Sequence, residues 1–180
     1  MPLAATLRVE ESDAAPLLTL QDQATAFTSS RREPGYGPHV TLAIYDELET
    51  SEVRAVAAQL FDGAVAVELF FEAVRWFDGP SLTLYAAPAP SPELDKLSRK
   101  LHRLIAPERC RPHYRPGCFI PHCTLAMKIG ADRRGDAIAF AQGKRIGIRA
   151  AFTAGEVVSF PPPRVEARWH LPPSGDATMR

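Results

Sequence analysis

His39 and Thr41 stand two residues apart in the stretch PHVTLA, and His122 and Thr124 repeat that spacing in PHCTLA. The two hexapeptides match at five of six positions. Five histidines and ten threonines in 180 residues predict only about 0.3 His-x-Thr triplets by chance, so the matched pair calls for a cause. Side chains alternate along a strand. His39 and Thr41 are therefore expected on one face, as are His122 and Thr124. Val40, Leu42 and Ile44 are expected on the opposite, core face, with Cys123, Leu125 and Met127 in the second copy. If the two copies face each other across a groove, two imidazoles and two hydroxyls converge.

That set suits chemistry at a phosphodiester. Histidine titrates near neutrality, so one imidazole can be neutral while the other is protonated. The neutral ring takes a proton from an attacking hydroxyl or water, and the protonated ring gives one to the leaving oxygen. The threonine hydroxyls can bind the non-bridging oxygens. Such a reaction needs no metal ion and no other cofactor, because the imidazolium supplies positive charge.

Elements able to hold these residues can be read along the chain. ATLRV alternates as a strand. Ser12 and Asp13 offer a helix cap ahead of LLTLQDQATAF. SSRREPGYG is a loop. VTLAIYD is a strand, and 46–61 a helix with Val53, Val56, Ala57 and Leu60 on its apolar stripe. AVAVELFFEAVRWF and SLTLYAAP flank Asp78-Gly79-Pro80 as a hairpin. Ser91-Pro92-Glu93 starts a helix by capping, by proline in its first turn and by charge. A proline-rich loop spans 106–119, followed by the strand IPHCTLAMKI and the short helix DRRGDAIAFAQG. RIGIRA, FTAGEVVSF and RVEARWHL are three further strands, and the tail at 174–180 is expected to be disordered. The order is α+β, with two similar halves in one bilobal domain over 1–180.

Composition narrows the setting. Hydrophobic residues make up 46% of the chain, ordinary for a globular protein. No apolar run reaches the roughly 20 residues of a membrane span. No signal peptide is visible, and three cysteines make no disulfide framework. The expected setting is the cytoplasm, as a monomer with no membrane partner. The net charge of zero hides a split: residues 1–90 carry 5 Lys/Arg against 13 Asp/Glu, and residues 91–180 carry 16 against 8. The stretch 96–115 holds seven of those cations, which suits a phosphate-bearing ligand.

At its two His-x-Thr motifs the sequence resembles the 2H phosphoesterase superfamily, with its 2′-5′ RNA ligase and cyclic phosphodiesterase branch. The resemblance implies two pseudo-symmetric lobes, with mainly antiparallel sheets facing a central cleft and helices on the outside. It implies hydrolysis of 2′,3′-cyclic phosphates, or cleavage and joining of 2′-5′ linkages, with an RNA end or a small cyclic-phosphate nucleotide as partner. His39 and His122 would be the acid–base pair and Thr41 and Thr124 the phosphate ligands, with the assignment of acid and base left open. Where the RNA ligase branch often carries Arg after the second motif, this chain has Met127, with Lys128 next, on the His122 and Thr124 face if the strand continues. Tyr36, Tyr114, Arg115 and Lys128 are candidate substrate contacts, the two tyrosines by stacking on a base.

Two rivals stand beside this reading. A non-catalytic RNA or nucleotide binding module could use the same fold. Cys110, His113, Cys118 and His122 could bind zinc, although their spacing fits no standard finger and would leave the first motif unexplained. No GxxxxGK[ST] or GxGxxG phosphate loop is present. His102, His113 and His170 lack the motif context and are read as surface or structural residues.

Overall fold

The structure, a computed structural model, describes residues 1–30 and 36–174. Part of the expected loop at 29–37, and nearly all of the expected tail at 174–180, lie outside the described residues. Seven strands form one antiparallel sheet: β1 (Leu3–Val9), β2 (His39–Tyr45), β3 (Val67–Phe77), β4 (Leu82–Pro88), β5 (Cys123–Ile129), β6 (Arg145–Ser159) and β7 (Arg164–His170). Four helices accompany them: α1 (Ala14–Ala24), α2 (Thr50–Phe61), α3 (Pro92–Leu104) and α4 (Ala131–Ala141). The sheet order is β2-β1-β6-β3-β4-β5, with β7 also on β6.

The expected RIGIRA and FTAGEVVSF strands are one strand. No turn residues separate them, and β6 runs unbroken for 15 residues. Its first half pairs with β3 from Arg145 to Phe152, and its second half pairs with β1 from Phe152 to Ser159 and with β7 from Ala154 to Ser159. The two expected lobes are thus two half-sheets, β2-β1-β6-β7 and β6-β3-β4-β5, built on a shared strand. The ends of the sheet also come together, because β2 touches β5. The two His-x-Thr motifs lie on these two end strands.

Helix boundaries follow local chemistry. At α3 the Leu94 N–H donates to the Ser91 hydroxyl at 3.3 Å, and Pro92 opens the helix as expected. The helix expected from residue 46 begins only at Thr50. Asp46 instead takes a two-pronged bond from Arg111, with Nε to Oδ2 at 2.9 Å and NH2 to Oδ1 at 2.6 Å. Asp13 makes no side-chain cap on α1; its carboxylate accepts the Ala151 N–H of β6 at 2.9 Å.

The exposed edges of β2 and β5 are covered by crossing segments. On β5, Gln21 of α1 donates to the Thr124 carbonyl at 2.9 Å and Thr28 to the Met127 carbonyl at 2.7 Å. On β2, the Arg111 N–H from the loop after α3 donates to the Ile44 carbonyl at 2.9 Å. Each half of the chain therefore seals the motif strand of the other and satisfies edge groups that would otherwise be unpaired.

Gly155 marks the tightest packing on the shared strand. A Cβ there would stand 2.5 Å from ring atoms of Phe61, a residue of α2 buried to 3% exposure. Gly155→Ala is expected to destabilise the protein by about 1–3 kcal/mol, because the ring must move within a packed core. Urea unfolding of the two proteins measures the difference, and an unchanged midpoint would refute it.

Candidate active site

Both motif histidines are anchored in the same way. The His39 Nδ1 lies 3.1 Å from the Gly37 carbonyl, and the His122 Nδ1 lies 2.8 Å from the Ile120 carbonyl. A carbonyl can only accept, so each Nδ1 carries the proton, and each neutral ring has its lone pair on Nε2. In both cases the acceptor stands two residues upstream. The Cys123 thiol rests against the His39 backbone, which places the two motifs side by side.

Simple alternation does not survive beyond the threonines, because each motif contains a β-bulge. On β2, Thr41 pairs with Thr6 and Ala43 with Ala5; on β5, Thr124 pairs with Tyr85 and Ala126 with Leu84. In both copies the Leu of His-x-Thr-Leu-Ala is the extra residue, and the faces shift past it. The expectation that Ile44 and Met127 share the core face is corrected accordingly. Ala43 and Tyr45 are fully buried with Ile44 only partly so, while Met127 is 48% exposed. A second irregularity follows at Lys128, whose φ of 56° breaks the strand geometry. Lys128 is exposed and is not carried along a regular strand on the His122 face, as the sequence suggested.

The surroundings of the two imidazoles differ. Arg8, directly across from His39 on β1, donates from NH1 to the Gly37 carbonyl at 2.8 Å, so one oxygen holds both side chains. The Arg8 guanidinium also lies 4.5 Å from the Tyr36 ring centre, and that ring packs on His39 at 4.6 Å. Burial pulls the His39 pKa down to about 4, against the Gly37 bond, and the charges of Arg8 and His122 lower it further. His122 instead meets the edges or faces of Phe77 at 5.0 Å and Tyr85 at 5.7 Å. Burial lowers its pKa too, partly opposed by the Ile120 bond, with His113 adding to the fall.

The other expected site residues divide. Tyr36 does reach the site, but its ring is occupied by His39 and Arg8 and its hydroxyl faces Thr6. Tyr114 is 4% exposed, too buried for a base to stack on it; its hydroxyl faces Thr41 and its carbonyl bonds His102 at 3.0 Å. Arg115 bonds the carbonyls of Glu108 and Cys110 and so staples its own loop. The Cys110 thiol is turned to the carbonyls of Pro107 and Arg111, and among the described residues no three His, Cys, Asp or Glu are placed to hold a metal ion. Arg8, Phe77 and Tyr85 were not legible as site residues, since only strand register brings them beside the motifs.

The family model for the 2′-5′ RNA ligase superfamily matches residues 9–159, including both motifs and the strands that carry them. The chain belongs to this superfamily of 2H phosphoesterases. A Bacillus pumilus protein named provisionally as a phosphoesterase is 27% identical over 129 residues, covering 68% of this chain and 72% of that one. The TT0787 protein of Thermus thermophilus superposes with a TM-score of 0.67 at 17% identity, covering 97% of this chain and all of the other. Escherichia coli LigT in complex with 3′-AMP superposes with a TM-score of 0.64 at 17% identity, over 95% and 99% of the two chains. These likenesses show that the 2H fold extends over nearly the whole chain. No helix among the described residues is long and apolar enough to cross a membrane.

The partly buried setting of His39 makes stability depend on pH. Its folded pKa of about 4 lies below the ordinary 6.5, so between these values the unfolded chain binds the extra proton. The resulting stability is complete above about pH 6.5 and is lost as pH falls toward 4. His39→Gln is expected to flatten this loss. Thermal melting across that range tests it, and an equal slope in both proteins would refute it.

Proposed function

We propose that this 2H phosphoesterase is a metal-independent phosphodiesterase for 2′,3′-cyclic phosphate or 2′-5′ linkages in RNA or small nucleotides. The observation that carries the reading is the matched pair of imidazoles on adjoining strands, each with its Nδ1–H engaged and its Nε2 left for chemistry. LigT, of the same fold, has been captured with 3′-AMP, ATP and NADP+, which supports a nucleotide as ligand here.

In this scheme the anion sits between the two Nε2 atoms, with the hydroxyls of Thr41 and Thr124 on its non-bridging oxygens. His39 is the base. Its burial and the nearby Arg8 charge both oppose protonation, so it meets substrate in the neutral form. His122 is the acid. The arriving phosphate raises its pKa, against the opposing charge of His113. Water loses a proton to His39 Nε2 and attacks phosphorus. The P–O bond to the ribose oxygen breaks, and that oxygen takes the proton from His122 Nε2. Cyclic phosphate plus water becomes a phosphomonoester, and the two histidines exchange protonation states before the next turnover. Positioning and charge stabilisation account for the catalysis.

His39→Ala and His122→Ala are each expected to lower kcat by about 10²–10⁴-fold on a nucleoside 2′,3′-cyclic phosphate, the range for a positioned acid or base. Retained ligand affinity in these variants would separate catalysis from passive binding; wild-type protein that turns over neither cyclic phosphates nor 2′-5′ dinucleotides would favour a binding module. The profile of kcat/KM against pH should be a bell centred on the acid side of 6.5, because burial lowers both free imidazoles. A flat profile between about pH 5 and 8 would refute the pair. Activity should survive EDTA, and loss reversed by added metal would overturn the metal-free step.

A further inference from the structure

Thr41 and Thr124 each begin a row of side chains that runs across the sheet on the face of the two histidines. Strand register gives the rows directly. The first is Thr41, Thr6, Glu156, Arg168, across β2, β1, β6 and β7. The second is Thr124, Tyr85, Arg75, across β5, β4 and β3. The rows match step for step, so Glu156 and Arg75 hold equivalent places and carry opposite charge.

The first row neutralises itself. Glu156 is fully buried, and Arg168 grips its Oε1 from Nε at 2.7 Å and NH2 at 2.5 Å. The second row does not. Arg75 is exposed beside Tyr85, and Arg145 stands nearby on β6 opposite Ala73. Among the described residues neither arginine enters an ion pair. Both line a cavity of about 530 Å³ where β6 begins and the outer half of β3 loses that neighbour. Tyr85, Gln142 and Lys144 also line it, and Glu72 is its one carboxylate. Lys144, held by Gln23 and the Phe140 ring, adds a further cation to the lining. Tyr85 therefore belongs both to the wall of this cavity and to the aromatic packing around His122.

We infer that this cavity receives a second phosphate of the substrate, the 5′-phosphate of the nucleotide whose ribose oxygen leaves on the His122 side. The inference rests on the reading of His122 as the acid: protonation of the leaving oxygen places the ribose on the β5–β4 side of the site, where Tyr85, 5% exposed and stacked on Phe77 at 4.2 Å, is part of the floor rather than a stacking partner. Neighbouring strands lie about 4.8 Å apart, so Arg75, two strands from Thr124, begins about 10 Å from it. A guanidinium reaching back covers the span between phosphates on the two ends of one ribose. The exposed forks of Arg75 and Arg145 suit phosphate oxygens in a way the occupied Arg168 does not. The substrate class is then a 5′-phosphorylated 2′,3′-cyclic nucleotide, or an RNA chain whose next phosphate fills the same place.

Calorimetry with adenosine 2′-monophosphate and adenosine 2′,5′-bisphosphate tests the cavity without turnover. Wild-type protein should bind the bisphosphate about tenfold more tightly, as charge-assisted contacts of this kind imply. The advantage should shrink as salt rises and should vanish in the double variant Arg75→Gln/Arg145→Gln. Equal affinity for the two ligands in wild type, an advantage insensitive to salt, or an advantage surviving in the folded double variant would each overturn the inference, as would failure of both to bind. Turnover separates it from the catalytic reading. A bisphosphate advantage with no turnover of either cyclic phosphates or 2′-5′ dinucleotides leaves the cavity standing and sinks the phosphodiesterase. Hydrolysis with no preference for a 5′-phosphate does the reverse.

Discussion

One hydrogen bond, made twice, governs the site: an imidazole Nδ1–H held by the carbonyl two residues before it. The bond is local, so each histidine is oriented by its own strand entry and not by the opposite motif. Proline precedes both histidines, and its fixed φ restricts the short turn of chain between the acceptor carbonyl and the ring. The bond also decides the tautomer. Without it, either ring nitrogen could carry the proton, and the lone pair would not be fixed on Nε2 in both rings.

The rest of the fold secures this geometry at strands that ought to be insecure. Edge strands present unpaired backbone groups and slip easily. Here α1 and Thr28 seal β5, and the Arg111 segment seals β2, with the Asp46–Arg111 fork tying that segment down. The bulge at Leu42 and Leu125 turns each strand just after its threonine, re-aiming the chain where a regular strand would run on. The repeated TLA is thus a piece of backbone geometry as much as a spacer between polar residues and core.

Much of this was readable beforehand. The hairpin, the α3 start and the α+β order follow from periodicity and capping, which are local, and the paired motifs were singled out by their repetition. What escaped was set by pairing between distant segments. The bulges leave no mark in PHVTLA itself, so Met127 and Lys128 were assigned faces by simple alternation. Tyr114 has the composition of a base-stacking loop residue, and only the fold shows it beneath Thr41. Arg8 read as an ordinary strand charge, since nothing local announces that residue 8 will lie across from residue 39.

The shared strand β6 has a mechanical consequence. Enzymes with two independent lobes can open and shut around a ligand by bending at a connection. Here 15 residues of continuous strand run through both half-sheets, and bending them would break ladders on β1, β3 and β7 together. A continuous strand through both half-sheets leaves no hinge between them, so in the proposed reaction a phosphate would be gauged by a preset gap rather than gripped by a closing jaw.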